Sequence, residues 1–269
     1  MKIFMSSDIE GTCGICDWSE TNLGDPGHDY FRRQMSKEVA AAAGGAIASG
    51  ATDILIKDAH DSARNIIPEL LPKEARLIRG WTKNFYCMMA GIDSQKFDAV
   101  MMTGYHSAAR QVTSPLAHTM TRRLESFKIN GELAGEFTIN AYIAGYFGVP
   151  VCFISGDKGI CEEAKALIPD IIAVPVQEGL GAATISLNSG RAIDLIRAGA
   201  EEATADEYYK KCQVNMPEAF EIQIGYQSHI DAYKNSFYPG VIQIAPKKIR
   251  FKSTNFVDVL RLVHFCVNN

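Results

Sequence analysis

Asp8 and Glu10 stand two residues apart behind the apolar run Lys2–Ser6. In an extended segment that spacing puts both carboxylates on one face. His60 follows a second run of this kind, His106 follows a third, and Glu136 opens a helical stretch after a Gly-containing turn. Three carboxylates and two imidazoles make a mixed oxygen and nitrogen donor set. Such a set suits Zn²⁺ or Mn²⁺ and fits poorly with Ca²⁺ or with a thiolate-lined structural zinc site. Five ligands exceed the three usual for one catalytic zinc, and a carboxylate bridging two metals ~3.5–4 Å apart accounts for the surplus. Asp8, deepest in the first loop, is the natural bridge. His118, in Ala117-His118-Thr119-Met120 beyond a polar loop, is a general acid/base or a further ligand.

Each of these residues also has a bland reading. An Asp behind a strand is commonly a cap or turn residue, and a lone His is commonly a structural hydrogen-bonder. The argument therefore rests on the elements that position them together. The pattern predicts strands at Lys2–Ser6, Thr52–Lys57, Phe97–Thr103, Leu124–Ile129, Val149–Ser155 and Ile171–Val176. Helices are predicted at Tyr30–Ser49, Glu136–Phe147 and Lys158–Leu167, with Ala182–Tyr209 mostly helical. Asn130-Gly131 marks a tight turn. Alternation of this kind implies βαβ units: an α/β fold, three layers α/β/α around a mostly parallel sheet. The carboxyl ends of parallel strands line one crevice, where ligands bind. After Pro217 the texture changes: Phe220–Gly225 and Lys248–Phe251 alternate as half-exposed strands and Phe256–Cys266 closes as a helix. We expect a metal-binding α/β catalytic domain over residues 1–175 and a smaller C-terminal α+β portion over 176–269, separate or part of the same domain.

The 269 residues carry 27 Lys+Arg against 31 Asp+Glu, a formal charge of −4. That balance gives no electrostatic reason for nucleic acid or an anionic membrane as partner. No apolar run approaches the ~20 residues needed to span a bilayer, and the N-terminus meets acid too soon for a secretory segment. A cytoplasmic protein is expected. Seven dispersed cysteines do not make a disulfide framework. Cys13-Gly14-Ile15-Cys16 has the spacing of a redox pair or half a zinc site, but no second such pair exists, and Glu10 and Asp17 flank it and oppose thiolate formation. His28 reads as a surface or cap residue; His229 and His264 receive no role.

Ser7-Asp8-Ile9-Glu10-Gly11, Asp58-Ala59-His60, Gly104-Tyr105-His106, His118-Thr119-Met120, Gly135-Glu136 and Asn140-Ala141-Tyr142 together resemble the zinc-dependent D-aminopeptidases, the DppA-like metallopeptidases first described as dipeptide transport proteins. Gly145 through Pro150 and Ser155-Gly156-Asp157 extend the resemblance, which runs to about Pro169. It implies two zinc ions per subunit, with Mn²⁺ an alternative, held by Asp8, Glu10, His60, His106 and Glu136, and a catalytic role for His118. It also implies a self-compartmentalising homo-oligomeric ring, a decamer, and short peptide substrates with D-residues at the amino end. Gln177 stands where the family commonly has a lysine, and Lys158 where an acidic residue is often seen. If that lysine touches substrate, substrate choice differs here. The reading is a dinuclear metallo-aminopeptidase acting through an activated water. The alternatives are a hydrolase of another amide and a non-catalytic peptide-binding protein.

Overall fold

The computed structural model describes residues 1–267. Its elements in chain order are β1 (Lys2–Ser7), α1 (His28–Ala48), β2 (Asp53–Asp58), β3 (Ala75–Ile78), β4 (Ala99–Tyr105), β5 (Leu124–Ile129), β6 (Glu132–Leu133), α2 (Glu136–Tyr146), β7 (Val151–Asp157) and α3 (Lys158–Leu167). β8 (Ile172–Leu180), β9 (Ala183–Ser186), α4 (Ser189–Thr204), β10 (Phe220–Tyr226), α5 (His229–Asn235), β11 (Ile242–Ala245), β12 (Lys248–Ser253) and α6 (Phe256–Cys266) follow. Seven strands form one sheet in the order β3-β2-β1-β4-β7-β8-β9, parallel except for the terminal β8–β9 hairpin. The three-layer α/β expectation holds.

The central strands β4 and β7 are buried along their whole length, and β1 and β2 from their second residue on. Burial on both faces is why they read as continuous apolar runs, as parallel strands do. On one face α1 packs along α4, and α3 packs on β7 and β8. A five-stranded antiparallel sheet, β11-β12-β10-β5-β6, makes the smaller portion. It draws β5 and β6 from the middle of the chain, while β8 carries the large sheet past residue 175.

One expected helix begins differently. Residues from Ala182 were expected to be mostly helical, but Ala183–Ser186 is a strand. Gly181 adopts φ +63, which closes a tight hairpin and pairs Leu180 with Ala183. The helix starts only where the Asn188 side chain accepts from the Gly190 and Arg191 N–H groups. The Asn130-Gly131 turn behaves as its residues predict, with φ +52 and +92 joining β5 to β6. Among the described residues, no helix is long and apolar enough to cross a membrane.

Candidate metal centre

β1 lies between β2 and β4, so the chain leaves it in opposite directions across the sheet and opens a crevice at the carboxyl ends. Asp8 and Glu10 leave β1 there, His60 leaves β2 and His106 leaves β4. The sheet's hydrogen bonding continues past the strand ends: the Asp8 N–H donates to the Thr103 carbonyl at 2.8 Å, and the Ala59 N–H to the Ser7 carbonyl at 2.8 Å. Gly104 permits this approach. Its φ is +69, and a Cβ there would lie 2.2 Å from the Asp8 carbonyl oxygen. Glu136 enters from the first turn of α2, where its Oε1 accepts from the Met120 N–H at 2.6 Å.

The five side chains converge, and all are buried. Asp8 faces two imidazoles with its two oxygens: Oδ1 lies 3.2 Å from His60 Nδ1 and Oδ2 lies 3.5 Å from His106 Nε2. Glu10 Oε2 is 3.0 Å from His60 Nδ1, and Glu136 Oε1 is 3.4 Å from His106 Nε2. Two groups able to hold a cation follow, Asp8-Glu10-His60 and Asp8-His106-Glu136, with Asp8 common to both. A third, Glu10-His106-His118, includes the last predicted residue. His118 stacks on His106 at 4.2 Å and 7°, and its Nε2 is 3.5 Å from Glu136 Oε1.

Each imidazole is anchored by a backbone carbonyl. His60 Nε2 lies 3.0 Å from the Thr21 carbonyl, His106 Nδ1 3.0 Å from that of Ser107, and His118 Nδ1 3.0 Å from that of Leu116. A carbonyl only accepts, so each of these nitrogens carries its proton, and the other nitrogen is aimed at carboxylates. That arrangement calls for positive charge between them. Glu10 Oε2 and His106 Nε2 are buried and make no aligned hydrogen bond. Burial works against the charged forms of His60 and His106, yet Glu10 and Asp8 hold the first, and Glu136 and Asp8 the second, well above the usual imidazole range. Burial also opposes the Asp8 charge, but His106 and His60 hold that carboxyl well below its ordinary value. Hard oxygen and borderline nitrogen donors, partly unpaired and draining positive charge inward, fit divalent cations.

The partner of His60 Nε2 is the Thr21 carbonyl, and Asp58 accepts from Asn65 and the Ile66 N–H and so fixes the loop. His28 is buried, not on the surface, and contacts Asn65 Oδ1 at 3.0 Å. Gln177 does not face the cavity: its Oε1 accepts from the Gly14 N–H at 2.8 Å and its Nε2 donates to the Glu10 carbonyl at 3.2 Å. Lys158 pairs with Glu178 on the surface. Burial and Glu38 push the Cys13 thiol up to about 12, and burial with Glu20 and Asp17 raises that of Cys16. Neither is a poised thiolate.

A cavity of about 510 Å³ opens over the centre. Both tryptophans of the chain, Trp18 and Trp81, line it, as do Lys83, Arg122 and His264. Asp61, Lys83, Cys87 and Met120 line it with left-handed backbone (φ +40 to +65), strain of the kind that collects at functional sites. The sequence reading missed these walls. The one signal for the tryptophans was position, since each lies in a segment that leaves the carboxyl end of a strand.

Comparisons with known proteins show the family. The family described as D-aminopeptidase matches residues 1–265. The chain is 30% identical over 264 residues to the D-aminopeptidase of Bacillus subtilis (strain 168), covering 96% of this chain and 93% of that one. It is also similar to the solved structure of the Zn-dependent D-aminopeptidase DppA from Bacillus subtilis, described as a self-compartmentalizing protease. There the TM-score is 0.89 at 28% identity, over 99% of this chain and 96% of that one.

Proposed function

The chain belongs to the D-aminopeptidase family and is a metallo-aminopeptidase, a hydrolase of peptide bonds, and from that premise we propose that it removes amino-terminal residues, D-residues by preference, from short peptides at a centre of two zinc ions. Asp8, Glu10 and His60 would hold one ion and Asp8, His106 and Glu136 the other, with Asp8 shared. The observation that carries this is the opposed pair of contacts at Asp8, one oxygen towards His60 and the other towards His106. Mn²⁺ satisfies the same donors.

When bound, such cations supply Lewis acidity, polarising the scissile carbonyl and lowering the pKa of a water. The chain's own groups do the rest. The backbone carbonyls of Thr21 and Ser107 fix the ring orientations of His60 and His106. Buried carboxylates around the opening favour a free α-ammonium group, which explains action at the amino end. His118 keeps one proton on Nδ1 against the Leu116 carbonyl, so Nε2 is the atom that takes a proton and delivers it to the leaving nitrogen. The cavity walls, with Trp18 and Trp81, exclude water from a bound peptide.

The Bacillus neighbour is described as self-compartmentalizing, and we extend that to a homo-oligomeric ring here, a decamer. Ile230, Tyr233 and Phe237 are 65%, 60% and 71% exposed on and just after α5, an apolar surface suited to a second copy. The buried thiols of Cys13, Cys152, Cys161, Cys212 and Cys266, none of them in a disulfide, support a reducing, cytoplasmic setting. The test is to strip the protein with a chelator, restore zinc, and assay alanyl dipeptides of both chiralities. Activity indifferent to metal removal overturns the reading.

A further inference from the structure

Resting on the aminopeptidase reading, we propose that Arg122 binds the terminal carboxylate of the substrate and restricts the enzyme to short peptides with a free carboxyl end. The guanidinium lies over Trp18, 4.6 Å from the ring centre. Trp18 meets His118 edge-on at 5.1 Å, and His118 stacks on His106 at 4.2 Å. Four planar groups thus form a row running from the metal ligands out to a cation. Trp18 is itself held: it opens a short helical turn in which the Asp17 side chain accepts from the Ser19 N–H while Glu20 reaches back to the Asp17 N–H.

Arg122 differs from its neighbours in what it touches. Arg110 pairs with Glu125 at 3.4 Å, and Arg123 donates to the Val267 carbonyl at 2.8 Å. Among the described residues, Arg122 has no carboxylate within ion-pair distance. The Trp18 ring takes up none of the guanidinium's N–H groups in an ion pair, and a guanidinium grips a carboxylate with two parallel hydrogen bonds. Arg122 also lines both the cavity over the metal centre and an adjoining one of about 350 Å³.

Distance and charge set the length limit. The cavity's inner end is acidic and suits an ammonium group; Arg122 at the outer end suits a carboxylate. A peptide spans ~3.3–3.6 Å per residue. With the scissile amide beside His118, the carboxylate of a di- or tripeptide reaches a guanidinium two ring contacts away, and a longer chain carries its carboxylate past it.

The experiment compares Ala-Ala with its carboxyl-terminal amide, in the chirality the wild type cleaves. Wild type should show a KM about tenfold to a hundredfold higher for the amide, the loss expected for a charge-assisted contact. In R122Q the kcat/KM ratio between the two peptides should fall to near one, and R122K should restore part of it. Binding is read independently on metal-stripped protein through tryptophan fluorescence, since both tryptophans line the cavity. The free acid should bind more tightly than the amide to wild type and equally to R122Q. Equal cleavage of acid and amide by wild type overturns the proposal and leaves the aminopeptidase reading intact. A preference that survives R122Q and disappears in K83Q also overturns it. Cleavage of neither peptide by zinc-loaded wild type overturns both.

Discussion

Gln177 clamps the Glu10 loop from behind. Its amide oxygen accepts from the Gly14 N–H at 2.8 Å and its amide nitrogen donates to the Glu10 carbonyl at 3.2 Å. Both ends of the side chain are used on backbone, and the residue is 5% exposed. Gln177 therefore bears on how Glu10 is held, not on what a substrate meets. Q177A should cost about 1–3 kcal/mol, the penalty for orphaning buried polar groups, and should weaken zinc binding through the loosened Glu10. Thermal unfolding and a zinc titration check this together. A variant of normal metal affinity but altered peptide preference would return Gln177 to the substrate.

Shared and unshared ligands should behave differently. Asp8 belongs to both of the groups proposed to hold zinc and to two of the three candidate cation groups, whereas Glu136 belongs to one. On the two-zinc proposal D8N should lose both zinc ions, and E136Q should keep one while losing rate about 10²-fold or more, because the ions of a two-metal site act together as a clamp. Metal analysis per chain reads the counts directly. Zinc should also raise the Tm of the wild type more than that of E136Q, because ligand binding to the native state stabilises it by mass action. Equal metal content in D8N and E136Q would remove Asp8 from the bridging position.

The convergence of these side chains was legible because chain topology aims them. Asp8, Glu10, His60 and His106 each follow a buried strand whose apolar run is plain in the sequence, and Glu136 opens α2 after Gly135. What the sequence hid was set by tertiary contact. The partner of His60 Nε2 is the Thr21 carbonyl, a main-chain atom with no residue signature. Trp81 and Arg122 sit on irregular segments and Trp18 on a single short helical turn, whose course no periodicity reports. The strand Ala183–Ser186 lies in an alanine-rich stretch and forms because Gly181 turns the chain back on β8. The antiparallel sheet takes β5 from the middle of the chain by pairing it with β10, a long-range choice that local pattern cannot reveal.

Glu38 should make stability depend on pH. It is 1% exposed, accepts from the Gln34 side chain at 2.9 Å and the Cys13 N–H at 3.1 Å, and leaves Oε2 without a partner. Burial pushes its carboxyl up to about 7 from an ordinary 4.5, against the two hydrogen bonds. Between those values the folded protein keeps a proton that the unfolded chain releases. Stability contributed by this residue is therefore complete below about 4.5 and falls as pH rises to about 7, by about 3 kcal/mol in all. E38Q keeps an acceptor and cannot ionise, so it should be less pH-sensitive and more stable than wild type at pH 8. Urea unfolding at pH 5 and pH 8 measures the difference. Parallel profiles for the two proteins would place the Glu38 charge elsewhere.

His118 divides two chemical roles that the geometry brings close. Its Nε2 lies 3.7 Å from Glu10 Oε1 and 3.5 Å from Glu136 Oε1, within reach of a cation held there, while Nδ1 is tied to the Leu116 carbonyl. It is also more open than the other two, its side chain 13% exposed against 0% for His106 and 8% for His60. A group that exchanges protons with a leaving amine needs that access, whereas a ligand does not. We therefore expect H118A to retain both zinc ions and to lose kcat by about 10²- to 10⁴-fold, the usual worth of a positioned acid or base. KM should move little, because the residue acts on the departing nitrogen and not on the peptide's ends. If zinc content falls by one instead, Glu10, His106 and His118 form a cation site, and proton delivery passes to another group.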